Sequence, residues 1–319
     1  MRVVRPRRTR APGPQRGDHF VRLAIINDEL SQDIEQAAAT SAHLGFDGLE
    51  IRSSNGVPPH HMNDATLDRV RDTVARHGLA VAGFDPPALK CDLPRTAAGT
   101  DAARELVAAS VRRAERLGAP FVRIFTFYRQ GDPDPRKAAA VAREVLDGVP
   151  TGRVPLLVET GMRTNSPTMR HTLEFLDALG DDRLGVLWDP GNSVFSGWDP
   201  VPFPRDYALG RERIRHVHVK DPDGQRAYVR LGDGDLPWPA ILARLAEDGY
   251  RGWVSLETHW RIGRVLSQAQ RDEPWGEEFT AGGFEASTAC MRLLREMTPA
   301  RREDAVPADS DAQTVEAGA

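Results

Sequence analysis

Four side chains that can bind a metal ion lie at the ends of short apolar segments in the second half of the chain. They are three carboxylates and one imidazole: Glu159, Asp189, His218 and Glu257. An oxygen-rich set with a single nitrogen suits Mn²⁺, Mg²⁺, Fe²⁺, Co²⁺ or Zn²⁺. Three carboxylates that share a buried site repel one another, and a divalent cation between them removes that repulsion. Each residue alone has an ordinary structural explanation, but four in equivalent positions predict one metal site.

The segments that carry these residues belong to a longer series of strand-like and helical patterns. The eight apolar segments are Val21–Asn27, Gly48–Arg52, Leu79–Phe84, Phe121–Phe127, Val154–Glu159, Leu184–Asp189, Ile214–Lys220 and Gly252–Glu257. Their alternation with helices predicts an α/β fold, a single-domain (β/α)8 TIM barrel, whose active site lies at the C-terminal ends of the strands. A doubly wound open sheet is the main alternative. It is disfavoured because Asn27-Asp28-Glu29-Leu30, not a Gly-rich phosphate loop, follows the first segment.

Capping residues predict where several helices begin and end. Ser31 and Asn63 are expected N-caps, Asp101 is expected to open a helix, and Ser166 precedes Pro167 at a first helical position. The last helix is expected to run from about residue 283 to 297. In the Asp-Pro-Gly-Asn turn after the sixth strand, Gly191 is expected to take a positive φ.

Composition and charge limit the function classes. Hydrophobic residues are 40% and charged residues 28%, which is typical of a globular chain. The net charge is −4, although the first 17 residues are rich in arginine, so the centre is acidic and poorly suited to nucleic acid. The lack of a long apolar segment predicts no membrane span. Two cysteines suit a reducing compartment, so a cytoplasmic location is expected. The expected organisation is a disordered tail at 1–18, one barrel at 19–298 and a disordered tail at 299–319.

Five motifs extend the argument from chemistry to a family. They are Val-Glu-Thr, Trp-Asp-Pro-Gly-Asn, His-Val-His-Val-Lys-Asp, Leu-Gly-Asp-Gly-Asp and Gly-Tyr-x-Gly-Trp-x-Ser-Leu-Glu. Together they resemble the sugar phosphate isomerase/epimerase family of xylose-isomerase-like TIM barrels. The resemblance covers roughly residues 20–298 and is strongest over 154–260.

The resemblance implies metal ligands on strands five to eight, which correspond here to Glu159, Asp189, His218 and Glu257. Of the two histidines, His218 is preferred to His216 because it lies nearer the C-terminal end of its strand. Mn²⁺ is the ion that the resemblance favours, with Mg²⁺, Co²⁺, Fe²⁺ or Zn²⁺ as alternatives.

The resemblance also implies a reaction. A metal-dependent isomerase or epimerase of a sugar, keto-sugar or polyol would abstract a proton next to a carbonyl and pass through a metal-stabilised enediolate. Glu159 and Glu257 would be the catalytic carboxylates. The alternative is a lyase or dehydratase of the same fold, similar to inosose dehydratase or to enzymes that cleave C–C or C–O bonds of keto-glycosides with a partner subunit. A non-catalytic ligand-binding barrel and an abasic-site endonuclease are less favoured. The endonuclease needs extra histidines and a positive groove.

Other residues are candidates for contact with a small sugar or polyol substrate. The expected substrate-binding residues are Lys220, Asn192, His259, Trp260 and Arg226. Many relatives carry His where this chain has Asn192, and an amide can bind a hydroxyl but cannot act as acid or base. Structural and functional roles both remain open for Glu50, Arg52, His60, His61 and Arg123. No nucleic acid or membrane partner is expected, and a homodimer or a partner subunit is left open.

Overall fold

The computed structural model describes residues 21–150 and 154–299, and these form a closed barrel of eight parallel strands surrounded by helices. The barrel strands are β1 Arg22–Ile26, β2 Gly48–Ile51, β3 Ala80–Phe84, β4 Val122–Ile124, β5 Leu156–Glu159, β6 Leu184–Trp188, β7 Ile214–Val219 and β8 Trp253–Leu256. Each strand pairs with the next, and β8 closes the barrel on β1. The predicted single-domain (β/α)8 barrel is therefore confirmed. Apart from Pro299, the predicted tails lie outside the described residues.

The barrel interior is apolar near the N-terminal ends of the strands and polar near their C-terminal ends. Two small clusters form the apolar part: Ala24, Ala82 and Trp253, and Phe121, Leu157 and Leu187. His216 packs on the Phe121 ring, with the ring centroids 4.6 Å apart. Because side chains alternate along a strand, His218 faces inward like His216, whereas Val217 and Val219 pack outward in the main hydrophobic core.

Helices of varied length connect the strands. They are α1 Asn27–Leu30, α2 Ile34–His43, α3 Asp64–Arg76, α4 Ala97–Leu117, α5 Pro135–Leu146, α6 Met169–Leu179, α7 Pro190–Ser196, α8 Arg205–Gly210, α9 Trp238–Glu247, α10 Gln268–Asp272, α11 Glu277–Thr280 and α12 Gly283–Met297. A 3₁₀ turn spans Pro59–His61, and Asp221–Asp223 pairs with Ala227–Val229 in a two-stranded hairpin after β7. Among the described residues, no helix is both long and apolar enough to cross a membrane.

Two of the expected helix starts differ from the structure because a nearby side chain caps the helix instead. Asp33, not Ser31, caps α2 by accepting a hydrogen bond from the Glu35 amide. Helix α4 begins before Asp101, since Thr96 accepts from the amide of Gly99. Both caps are residue types that favour this role, so sequence alone offered several equivalent choices.

A third predicted helix start was wrong because a residue distant in the sequence accepts a hydrogen bond from the first amide of the helix. Helix α6 begins at Met169, after Thr168, and not at the predicted Ser166-Pro167. The Met169 amide donates to the carboxylate of Asp206 on α8, at 2.9 Å. An unpaired amide at a helix start is satisfied here from another helix, which a local sequence pattern does not reveal. The N-cap Asn63 and the last helix, Gly283–Met297, are confirmed.

We propose that the barrel at residues 19–298 carries the stability of the chain. A chain trimmed to residues 18–300 should melt within about 2 °C of the full-length protein, since a change of 1 kcal/mol shifts the melting temperature of a large domain by only a few degrees. Differential scanning calorimetry of both chains provides the measurement. A fall of more than about 5 °C would show that a terminal segment contributes to the fold.

Candidate active site

The structure brings the four predicted metal ligands together at the C-terminal end of the barrel. The cluster consists of Glu159 at the end of β5, Asp189 directly after β6, His218 on β7 and Glu257 directly after β8. All four are buried, and one ligand atom from each lies within 4.8 Å of the others. Four consecutive strands therefore deliver three carboxylates and one imidazole to a single point.

Glu50 contacts the imidazole of His218 on the side opposite the three carboxylates. His218 Nε2 lies 3.1 Å from Glu50 Oε1, and His216 Nε2 lies 2.8 Å from Glu50 Oε2. His218 Nδ1 faces the carboxylates, where it is buried without a hydrogen-bond partner among the described residues and lies 3.5 Å from Glu257 Oε2. Burial alone lowers the pKa of His218, but Glu50 and Glu257 raise it well above the ordinary value. Glu50, whose role the sequence left open, is thus a positioning residue for His218.

The ammonium of Lys220 lies among the same carboxylates. Its Nζ is 2.7 Å from Asp189 Oδ2 and also forms an ion pair with Glu257. Burial raises the pKa of Asp189 to about 7 although Lys220 opposes that shift. Burial alone would lower the pKa of Lys220, yet Asp189 and Glu257 raise it well above the ordinary value. Lys220 is therefore a charged donor at the centre of the site.

The close approach of Lys220 explains the glycine that follows Pro190. A Cβ atom on Gly191 would lie 2.5 Å from Lys220 Cγ and 3.3 Å from Asp189 Oδ1. The expected positive φ at Gly191 is wrong, because this residue lies inside helix α7 and is not among the glycines with positive φ. The glycine is required for space, not for backbone conformation.

Arg52 neutralises a second group of buried carboxylates on one side of the site. It donates from Nε to Asp28, from Nη2 to Glu29 and from Nη1 to Glu257, the last at 2.7 Å. Glu29 also accepts from Arg261 at 3.0 Å. In the sequence, Asp28 and Glu29 served only as evidence against a phosphate loop. Their position directly after β1 was nevertheless the same signal that identified the residues after strands five to eight.

Arg123 performs a similar role on the other side. Its Nη1 lies 3.3 Å from Glu159 Oε2 and 3.5 Å from Asp85 Oδ2. Burial raises the pKa of Asp85 well above the ordinary value. Arg123 therefore contacts the carboxylate of Glu159 and one carboxyl group, Asp85, whose neutral form is favoured by burial, and among the described residues its Nε has no hydrogen-bond partner.

Asn192 contacts the cluster, and His259 lies beside it. Asn192 donates from Nδ2 to Glu159 Oε1 at 2.8 Å and accepts from the hydroxyl of Tyr228 at 3.2 Å. His259 Nδ1 lies 2.8 Å from Glu29 Oε1, and burial lowers the pKa of His259 to about 4. His259 is therefore neutral at physiological pH.

A narrow cavity of about 40 Å³ opens above the cluster. Among the predicted substrate residues, Lys220, Asn192 and His259 line it. The structure places Trp260 elsewhere, half-buried against the main hydrophobic core, and Arg226 on the exposed hairpin in an ion pair with Asp223.

Several of the cavity's other residues come from loops. His60 and His61 lie in the 3₁₀ turn and are not among its described lining residues. Sequence reasoning missed three basic lining residues, Lys90, Arg163 and Arg271. None of them stands at the end of a barrel strand, so the strand pattern gave no signal for them.

Comparison with known proteins identifies the family of the chain. A model of the xylose isomerase-like TIM barrel family matches residues 38–281. The chain belongs to this family. Among solved structures, D-allulose 3-epimerase from Methylomonas sp. in complex with D-allulose superposes with a TM-score of 0.67 at 16% identity, covering 88% of this chain and 98% of that one. A xylose isomerase domain protein from Planctomyces limnophilus gives 0.62 at 18% identity, covering 87% and 96%. At such identities the likeness shows the fold alone.

Curated relatives match over shorter stretches. The rhizopine catabolism protein MocC of Rhizobium meliloti is 37% identical over 100 residues, which are 26% of this chain and 30% of that protein. Inosose dehydratase of Clostridium tetani is 34% identical over 114 residues, 30% of this chain and 37% of that one. The match thus spans about a third of the length of these relatives.

The packing around Lys220 can be tested by adding one methyl group. Gly191→Ala should destabilise the protein by about 1–3 kcal/mol, because the new Cβ overlaps a buried side chain. Gly99→Ala in the first turn of α4 is the matched control, since its Cβ meets no atom closer than 3.4 Å. That control should be neutral or mildly stabilising. Chemical denaturation of both variants gives the comparison, and equal stability would contradict the assigned role of Gly191.

Proposed function

We propose that this protein is a divalent-metal-dependent enzyme that removes a proton next to the carbonyl of a sugar-like substrate, and that it acts as an isomerase or epimerase. The observation that carries the proposal is the pair Glu159 and Glu257. They come from β5 and β8, three strands apart in the barrel, and both line the same cavity. Two carboxylates that reach one substrate from different sides can take a proton from it and return one.

The donor set fits a divalent ion. Glu159 Oε2 accepts no hydrogen bond, although Arg123 Nη1 lies 3.3 Å from it, and His218 Nδ1 is buried without any hydrogen-bond partner among the described residues. A buried polar atom left in this state costs about 1–3 kcal/mol, and coordination to a cation would remove that cost. Glu159, Asp189, His218 and Glu257 would hold the ion. When bound, it would polarise the substrate carbonyl and stabilise the negative charge that follows proton loss.

The surrounding side chains prepare the two carboxylates for this work. Burial opposes ionisation of Glu257, but the ammonium of Lys220 holds its pKa well below the ordinary value, so it is available as a base. Arg52 fixes its orientation through the 2.7 Å contact to Oε1. Asn192 fixes Glu159 in the same way. Lys220, which lines the cavity, can donate a hydrogen bond to a substrate oxygen.

A dehydratase is the second candidate, and Lys220 is the observation that favours it. Loss of a hydroxyl group after proton removal requires a general acid close to the base, and a charged ammonium beside Glu257 can serve as one. Asn192 cannot supply that proton. The sequence similarity to inosose dehydratases agrees with this alternative. Product analysis distinguishes the two, since an isomerase or epimerase conserves the mass of the substrate and a dehydratase loses water.

The proposed ligands predict the metal content of the protein. Purified protein should hold about one divalent ion per chain, as expected for a four-ligand site, and a chelator should remove it. Asp189→Asn and Glu257→Gln should lower the metal content, measured by elemental analysis, while circular dichroism shows an intact barrel. Asp233→Asn, at an exposed carboxylate paired with Arg230, is the control and should retain full occupancy. Unchanged occupancy in a Glu159→Gln, Glu257→Gln double variant would overturn the assignment.

The proposed chemistry predicts exchange with solvent. Incubation in D₂O with keto-sugars or a keto-inositol should introduce deuterium at the carbon next to the carbonyl, detected by NMR. In Glu257→Gln the exchange rate should fall by at least about 10²–10⁴, the usual contribution of a general base. Turnover that persists after complete metal removal, or in the double variant, would rule out the mechanism.

A further inference from the structure

The cavity above the proposed metal ligands is unusually rich in positive charge. Six basic side chains line it: Arg52, Lys90, Arg123, Arg163, Lys220 and Arg271. Two of them are fully engaged with carboxylates at the floor of the site. Arg52 is paired with Asp28, Glu29 and Glu257, and Lys220 is paired with Asp189 and Glu257. We call these two residues and their carboxylate partners the floor of the site. The other four basic residues, Lys90, Arg123, Arg163 and Arg271, form its rim.

Lys90 and Arg271 at the rim form no ion pair with any described residue. Lys90 Nζ donates to the backbone carbonyls of Arg271 and Asp272, at 3.2 and 2.7 Å. Arg271 donates from Nη1 to the carbonyl of Leu266, while its Nε is buried without a partner. Carbonyl groups satisfy hydrogen bonds but carry no net charge. Two positive charges therefore face the cavity without neutralisation.

Arg123 extends this cationic rim towards the reacting groups. Its guanidinium carbon lies 4.8 Å from the centroid of the Phe125 ring, and Lys90 Nζ lies 5.5 Å from the same centroid. The side chain of Arg123 is only 4% exposed, and its Nε has no hydrogen-bond partner. Among the described residues that line the cavity, the carboxylates are Glu159, Glu257 and Asp272, and Asp272 is already paired with Arg163.

The charged form of Lys90 is destabilised by its surroundings. Burial, together with the nearby Arg123, lowers the pKa of Lys90 to about 8. An anion bound beside Lys90 would reverse that shift.

We propose that the substrate of this site carries a negatively charged group, a carboxylate or a phosphate, which Lys90, Arg123 and Arg271 bind at the rim while its polyhydroxylated part faces Glu159 and Glu257. The inference rests on the proposed function, because it names the substrate class of the same site. Guanidinium groups with free N–H donors are well suited to both anions. Arg226, an expected substrate-binding residue, is not part of this group, since it lies on the exposed hairpin.

Pairs of compounds that differ in one anionic group provide the test. Isothermal titration calorimetry of the metal-loaded protein should compare D-gluconate with D-glucitol and D-erythronate with erythritol, and D-glucitol 6-phosphate with D-glucitol. In at least one pair the anion should bind about tenfold or more tightly, and added salt should reduce that preference. A preference for the carboxylate or for the phosphate identifies the anionic group. No preference in any pair, whether both members bind equally or neither binds, overturns the proposal.

Substitutions at the rim test which side chains cause the preference for the anion. Arg271→Gln and Lys90→Met should each remove most of it, whereas Arg136→Gln should not, because Arg136 is an exposed arginine on α5 paired with Glu174. Two independent rim variants, each checked by thermal melting, keep the test valid if one fails to fold. Preference that survives in both folded variants contradicts the assignment. Metal-dependent deuterium exchange without anion preference would overturn this inference alone, and anion preference without exchange would overturn the proposed reaction.

Discussion

Negative charge buried at one end of the barrel is the constraint on which the rest of the structure depends. Among the described residues, the carboxyl groups buried there include those of Asp28, Glu29, Glu50, Asp85, Glu159, Asp189 and Glu257. Burying a single ion costs several kcal/mol unless a partner of opposite charge compensates it. Arg52, Arg123 and Lys220 supply that compensation from three different strands or strand ends, and Asp85 avoids the cost through its raised pKa. The polar end of the barrel is thus held together by its own charges.

The barrel makes this arrangement possible through the alternation of its strands. Every second residue of β7 faces the interior, so His216 and His218 stack above the apolar floor and share Glu50. The same alternation places Glu159 above Leu157, which belongs to that floor. The four candidate ligands therefore lie at or directly after the C-terminal ends of their strands, above packed apolar side chains. Their positions are fixed by rigid elements, which precise proton transfer requires.

The parts predicted from sequence were those that follow a regular period. The eight strands, the barrel and the convergence of Glu159, Asp189, His218 and Glu257 all follow from strand-end positions. The environment of these residues could not be predicted, because it depends on contacts between distant segments, such as Asp206 at the start of α6 or Gly191 against Lys220. Arg226 was selected for its type and position in a loop, but the hairpin pairs it with Asp223 at the surface.

The site has two zones of opposite electrostatic character, and this separation has consequences for its chemistry. At the floor, positive and negative side chains are matched, so the groups that would move protons are held at fixed positions. At the rim, positive charge exceeds negative charge because Lys90 and Arg271 form no ion pair with any described residue and donate their hydrogen bonds to carbonyl groups. The floor is built from strand ends, whereas the rim is built mainly from loops and the short helix α10, with Arg123 added from β4. Loops can vary without disturbing the barrel. The proposed reaction would thus depend on groups from the strands, and the proposed choice of substrate largely on groups from the loops.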